Sequence, residues 1–396
     1  MKRYYAVTVF VSLLTLLAFT FVYRLWDDPA EKTVLKVGFI YENDEITPYT
    51  YNFTLAQKAL EQAYPGQVEI LTRSNVQDDQ TEEPLRELVR LGCGVIFSNS
   101  YSPQIRALAP EYPEVQFCQV SFSAAAGLEY PANYHTFNGE IYQGRYVTGV
   151  AAGMQLRALI DSGKITAKEA LVGYVGAFHT PEVISGYTAF LLGVRSVAPE
   201  AVMHVRYTGT WSSYTLERAS ARALIDAGCV IIAQHTDTIG PAVACEEAAA
   251  QRPVYHVGYN QSMLDMAPNA SLISTRVNWT PYVVGAVGAV LEQKPIESAV
   301  SGRVHGNDIC AGLDLGWVEI LELNKAIAAE GTAEQIERAI EGLRRGTLQV
   351  FDGDYSGSNP NNQRDTYDLN NGYRENGEFS YPTFHYVLRN VIIIDR

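Results

Sequence analysis

Two stretches of the chain share one pattern: an amphipathic helical segment, then a short unbroken apolar run that ends abruptly in small polar residues. The first is LRELVRL followed by GCGVIFSNSYSP, Gly92 to Pro103; the second is LERASARALIDA followed by GCVIIAQHTDTIGP, Gly228 to Pro241. An apolar run of strand length without polar alternation marks a parallel strand covered on both faces. Ligands of open α/β sheets sit beyond the carboxyl ends of the strands. The residues that end each run, Asn99 in the first copy and Gln234 to Asp237 in the second, are therefore expected at a cleft. Two such halves facing one another predict a two-lobed binding protein.

The same rhythm fills the rest of the chain. Strands are predicted at Val34 to Ile40, Val68 to Leu71 and Val115 to Val120, with helices at Tyr51 to Tyr64, Glu83 to Leu91 and Pro103 to Ala109. A crossing between lobes is expected around Tyr134 to Gly139, followed by a long helix with Gly144, Thr148, Ala151 and Ala152 on one side. Its Gly149 and Gly153 have the spacing of a membrane helix pair, but Arg145, Gln155 and Arg157 argue for close packing in a soluble body instead. Strands at Ala170 to Val175, Val202 to Tyr207, Val230 to Ala233 and Val254 to Gly258 alternate with helices at Pro181 to Val197, Thr215 to Ala227 and Pro241 to Gln251. That alternation predicts a second parallel sheet. A strand at Leu272 to Val277 and a helix at Pro281 to Glu292 are expected to return to the first lobe.

The fold class is thus α/β, two doubly wound parallel-sheet lobes with a ligand cleft between them. Lobe 1 is expected at residues 33–137 plus about 262–295, and lobe 2 at 138–261 plus about 296–396 with the C-terminal tail. The tail holds a charged helix, Thr332 to Arg345, a polar stretch, Asp352 to Asn376, and an apolar end, Tyr386 to Ile394.

The N-terminus sets the expected location. Lys2 and Arg3 precede an apolar stretch from Tyr4 to Tyr23, long enough to cross a bilayer, and the basic pair favours the cytoplasmic side. Neither a convincing small-x-small cleavage site nor a cysteine for lipid attachment stands here. Residues 1–32 are therefore read as a transmembrane helix and tether that anchor an extracytoplasmic body to the cell membrane. Secretion after signal cleavage is the alternative.

Composition narrows the function classes. The chain has 396 residues, is 47% apolar and carries a formal charge of −14 without any block of basic residues, which argues against nucleic acid as a partner. The five cysteines, Cys93, Cys118, Cys229, Cys245 and Cys310, are odd in number and lack CxxC spacing, so they read as buried free thiols. No dinucleotide or phosphate loop, zinc motif or hydrolase elbow is present, so no enzyme, cofactor or metal is expected. Asp352 to Ser356 begins like a calcium loop but fails at its twelfth position, Gln363. His235 beside Asp237 suits hydrogen bonding better than catalysis.

What remains is a set of aromatic and polar residues at predicted strand ends: Tyr41, Tyr49, Phe178, Trp211, Asp237, Tyr259, Asn260, Asn278 and Trp279. Rings from opposite lobes can sandwich a flat heteroaromatic ligand while amides and carboxylates read its edge.

Six stretches resemble the basic membrane protein family, substrate-binding proteins of ABC transporters that include purine nucleoside receptors. They are Ile141 to Gly153, Gly173 to Pro199, Gly228 to Asp237, Val257 to Asn260, Arg276 to Tyr282 and Gly346 to Phe351, within a resemblance from roughly Val34 to Phe351. The resemblance implies the type I periplasmic-binding-protein fold and an ABC permease and ATPase as partners; the chain itself is expected to be a monomer. It implies that Tyr49 stacks on the base, that Thr50 follows where nucleoside binders place an Asn, and that Trp211 supplies the opposite ring. Asn260 stands where those members hold ribose with an Asp, and their Lys has no counterpart between Leu272 and Trp279. Together with AQHTD and VNW, which look like the free-base branch, these departures imply a purine nucleobase such as adenine. A nucleoside ligand is one alternative, and a membrane-tethered sensory receptor that presents its lobes to a signalling partner is another.

If the first 32 residues anchor the chain, mass spectrometry of the membrane-associated protein is expected to find the N-terminal segment intact; a mature start near Trp26 contradicts the anchor.

Overall fold

The computed structural model describes residue 15, residues 34–121 and residues 129–394. Leu35–Ile40 (β1), Val68–Arg73 (β2), Cys93–Ser98 (β3), Gln116–Val120 (β4) and Tyr134–Gly139 (β5) lie in one seven-stranded sheet. Leu171–Gly176 (β6), Val202–Tyr207 (β7), Ile231–His235 (β8), Tyr255–Tyr259 (β9) and Ser271–Val277 (β10) lie in a second. Arg303–His305 (β11) and Asp308–Ala311 (β12) go back to the first sheet, and Val318–Ile320 (β13) to the second. The tail adds Ser356–Asn359 (β14), Asn362–Asp368 (β15), Val387–Leu388 (β16) and Val391–Ile393 (β17).

The sheet orders are β11-β12-β5-β4-β3-β1-β2 and β13-β10-β9-β8-β6-β7-β17. The run β5-β4-β3-β1-β2 is matched strand for strand by β10-β9-β8-β6-β7, and the two repeated sequence phrases are the equivalent strands β3 and β8. Pairing is parallel except for the edge pairs β11/β12 and β10/β13. All five residues of β8 are buried, as expected of a central parallel strand with helices on both faces. The helices after the strand tips begin with Pro48, Pro103, Pro181, Pro241 and Pro281 in their first two positions. Proline's fixed φ suits a helix start and its missing N–H removes a donor that has no partner there.

The strand at Ser271–Val277 differs from the expectation that it returns to the first lobe: it pairs with β9 in the second sheet. Its side chains are buried on both faces, so it extends a sheet interior, and the chain crosses only after it. The next helix, Thr280–Leu291, does pack on Pro48–Ala63 and β3 of the first sheet. Residues 303–311, expected in lobe 2, are first-sheet strands because β12 pairs with β5. Tyr134–Gly139 is itself a fully buried strand, and the crossing follows it.

Three crossings meet side by side. Glu140 N–H donates to Ala311 O (2.9 Å), Leu313 N–H to Gln143 Oε1 (2.9 Å), and Asn278 N–H to Trp317 O (2.8 Å). Behind them the long helix Ile141–Asp161 packs against Pro181–Arg195 so closely that a Cβ at Gly149 would lie 2.2 Å from Phe190 O. This is the soluble packing role of the small-residue spacing. The five cysteines are buried and free.

The tail joins both sheets. Val391–Ile393 adds an edge strand beside β7, while upstream Ser380 N–H donates to Asp308 Oδ2 (2.6 Å) on β12 and its hydroxyl meets that of Ser121. Glu375 shapes this bend by accepting from the Thr383 and Phe384 N–H groups, and Asn376 Nδ2 donates to Ser380 O (2.6 Å). The anchor expected at Tyr4 to Tyr23 falls outside the described residues apart from residue 15. Among the described residues no helix is long and apolar enough to cross a membrane.

Asp308 also accepts from Thr136 Oγ1 (2.6 Å), so Asp308→Ala leaves two buried donors without a partner. The expected cost is about 1–3 kcal/mol, read as a lower thermal midpoint; an unchanged midpoint contradicts the tail's tie to the first sheet.

Candidate ligand-binding cleft

The carboxyl ends of β1, β3, β6, β7, β8 and β9 converge on a small pocket between the two sheets, the position favoured for ligands in this class of fold. Its lining is Glu42, Tyr49 and Tyr101 from the first sheet and Glu182, Trp211, Asp237 and Tyr259 from the second. Its volume is about 20 Å³, room for one water and far short of a ligand site. The rings must separate for a ligand to enter.

The facing aromatic pair is Tyr101 and Trp211, with centroids 6.4 Å apart and planes tilted by 43°. Phe178, at the exposed mouth, meets Trp211 edge-on at 5.5 Å. Tyr49, expected opposite Trp211, lines the cavity but packs edge-on against Phe53 (5.7 Å) and Trp279 (6.3 Å), and its hydroxyl donates to Asn99 O (3.1 Å). Tyr259 is backed by the buried Arg145 guanidinium, 3.8 Å from its ring centroid, which also donates to Gln234 O (2.7 Å).

Two hydrogen bonds cross the cleft. Tyr101 OH donates to Glu182 Oε2 (3.2 Å), and Asn52 Nδ2 donates to Asn260 O (2.9 Å). Asn260 is held in the left-handed backbone region, φ 66°, which asparagine tolerates better than most residues. That conformation turns its Nδ2 onto Asp237 Oδ1 (2.9 Å), while Asp237 N–H is tied to Trp211 O (2.9 Å).

Burial pushes the Asp237 carboxyl up to about 8, with Glu217, Glu42 and Glu182 adding to the effect and the Asn260 hydrogen bond opposing it. Burial, then Asp78, raises Glu42 to about 7. His235 is driven down to about 4, first by burial and then by Arg145. Its Nδ1 lies 3.2 Å from Tyr174 OH and its Nε2 3.8 Å from Glu182 Oε1, so it props the second-sheet wall of the cleft.

Other expected site residues stand elsewhere. Tyr41 is buried among Phe39 and Phe53 in the first-sheet core. Asn99 accepts from Glu42 N–H (2.9 Å) and donates to Thr50 Oγ1 (3.2 Å), so Asn99 and Thr50 brace the wall from behind. Asn278 caps Thr280–Leu291 through Thr280 N–H (3.1 Å) and bonds Gly316 O (3.1 Å) at the crossings. Trp279 stacks on Phe53 (4.7 Å, 20°) in the core. The apolar surroundings of Tyr41 and Trp279 captured their rings, and the hinge captured the Asn278 amide.

Sequence reasoning missed Glu42, Tyr101, Glu182 and Arg145. Tyr101 had a visible signal, because it follows β3 within the repeated phrase much as Asp237 follows β8. A larger cavity, about 580 Å³, lies away from the strand tips, between Tyr142 and Gln143, Arg303, and the tail residues Phe351, Tyr373 and Arg374.

Residues 43–345 match the family described as ABC transporter substrate-binding protein PnrA-like. The chain is 32% identical over 329 residues to a purine-binding protein of Brucella abortus, a match covering 81% of this chain and 83% of that protein. It is 27% identical over 328 residues to a putative ABC transporter glucose-binding protein of Haloferax volcanii, covering 82% and 76%. A crystal structure of an ABC transporter solute-binding protein from Aeropyrum pernix superposes with a TM-score of 0.64 at 16% identity, covering 80% of this chain and 92% of that one. The shared fold is type I periplasmic-binding-like.

Folded Asp237 and Glu42 hold protons more tightly than in the unfolded chain, where their ordinary values are 3.8 and 4.5. Unfolding therefore releases protons between those values and about 8 and about 7, and stability contributed by these groups falls as pH rises through that window. His235, lowered from 6.5, acts in the opposite sense below its ordinary value. Comparing Asp237→Asn with the native protein without ligand isolates the carboxyl: between about pH 5 and about pH 8 the variant's thermal midpoint is expected to fall less. Parallel pH profiles contradict a proton-holding Asp237.

Proposed function

From the premise that the chain belongs to the PnrA-like family of ABC transporter substrate-binding proteins, we propose that its cleft binds a purine nucleobase. The protein is an extracytoplasmic receptor for a small molecule, with an ABC permease and ATPase as its partners, and not an enzyme. The finer reading rests on one observation, the Tyr101–Trp211 pair with the buried Asp237 at its edge.

A planar ring between two others needs about 3.5 Å on each side, or about 7 Å between the outer rings. The observed 6.4 Å and 43° tilt are close to that spacing. A small opening of the lobes that levels the rings makes the slot, while the Asp237 carboxyl, with Oδ1 held by Asn260, presents a hydrogen-bonding group to the edge of the base. Tyr259 and Tyr49 close the remaining sides.

Free base is favoured over nucleoside because Asn260, in the position implied for ribose, is already used: its amide holds Asp237 and its carbonyl accepts from Asn52. The named purine-binding relative from Brucella abortus supports the same ligand class. The apolar run from Tyr4 to Tyr23 completes the proposal as the anchor that keeps the receptor at the membrane face.

Isothermal titration of the soluble body, stripped of ligand, is expected to give tight binding of a purine base, weaker binding of its nucleoside and none of glucose. Trp211→Ala removes one wall of the slot and is expected to cost about 1–3 kcal/mol of binding. Glucose binding without purine binding, or an unaltered purine affinity in a folded Trp211→Ala variant, contradicts the proposal.

A further inference from the structure

The cavity lining is unusual in its charge. Three of its seven residues are acids, Glu42, Glu182 and Asp237, and none is Lys, Arg or His. The Arg145 guanidinium sits behind the Tyr259 ring and spends a donor on Gln234 O. The Tyr49 and Tyr101 hydroxyls donate to Asn99 O and to Glu182 Oε2. Apart from the Trp211 N–H, the Tyr259 O–H and the protons that burial helps keep on Asp237 and Glu42, the side chains lining the cavity offer a ligand acceptors.

The acids differ in how far they are engaged. Asp237 Oδ1 already accepts from Asn260. The Glu42 carboxylate makes no hydrogen bond or ion pair among the described residues, although its backbone N–H is fixed by Asn99. Glu182 accepts from Tyr101 on Oε2, and its Oε1 lies 3.8 Å from the His235 ring, too far for a hydrogen bond. Glu182 is placed by the first turn of the helix Pro181–Arg195, so it reaches the cleft from a fixed element.

Resting on the reading that this cleft takes a purine base, we propose that Glu182 makes it selective for an amino-substituted purine over an oxo-substituted one. An exocyclic amino group supplies a hydrogen to the Glu182 carboxylate. A carbonyl at the same position sets oxygen lone pairs against it, and an unmatched polar edge is costly. Glu182 is the principal discriminator, because its Oε1 has no hydrogen bond of its own.

The test is a titration of the native protein and the isosteric variant Glu182→Gln with adenine and with hypoxanthine, which differ at C6, amino against carbonyl, and at the neighbouring N1, a lone pair in adenine and an N–H in hypoxanthine. The native protein is expected to prefer adenine by about tenfold or more. In Glu182→Gln the amide can donate to a carbonyl, and the preference is expected to shrink by about tenfold. Glu182→Ala is a second variant, should Glu182→Gln lose its fold by circular dichroism. Equal or tighter binding of hypoxanthine by the native protein overturns the selectivity and leaves purine binding standing. An adenine preference that neither variant reduces overturns the assignment to Glu182. Failure of the native protein to bind either base overturns the selectivity together with the purine reading beneath it.

Discussion

A carboxyl group shut away from water and paired only with an amide is costly, and the cleft is arranged around one. Asp237 has Asn260 as its side-chain partner and Glu42, Glu182 and Glu217 as acidic neighbours. Asn260 meets it only by taking a left-handed backbone turn at the end of β9, and its carbonyl is in turn held by Asn52 across the cleft. One buried acid thereby links the tip of β8, the tip of β9 and the opposing first-sheet helix.

The two sheets are coupled at their other end by three adjacent crossings whose backbone groups bond one another. This allows rotation of one sheet against the other with little change inside either. The tail adds a fourth connection, running from Phe351 against Tyr142 of the long helix to Asp308 in the first sheet and back to the edge of β7. The family match ends at residue 345, so this strap lies beyond the part of the chain shared with the family model. Its polar ties to Asp308 and Ser121 are buried, which places it in the mechanical path of any opening motion.

The repeat legible in the apolar runs was a good guide to the fold, because each parallel strand is buried on both faces and carries its signal locally. The phrases around β3 and β8 proved to be equivalent strands, and the helix starts followed the prolines. Sheet membership late in the chain was less legible. Ser271–Val277 pairs with the strand before it and Asp308–Ala311 with β5 much earlier in the chain, and nothing local in these short mixed strands says which sheet has an open edge. Within the cleft, Trp211, Asp237 and Tyr259 were readable as strand-tip residues. Tyr41 and Trp279 share that description but turn into the core, since a tip residue's orientation depends on packing that the sequence pattern does not encode. Glu42 and Glu182 were passed over because acids in loops and first helical turns usually face solvent.

The account stands most directly on where a purine sits. A crystal structure of the protein grown with adenine is expected to show the base between Tyr101 and Trp211, with an N–H directed at Asp237. A base found instead in the larger cavity beside Tyr142, Phe351 and Arg374, or a cleft whose rings stay in contact at saturating ligand, contradicts it.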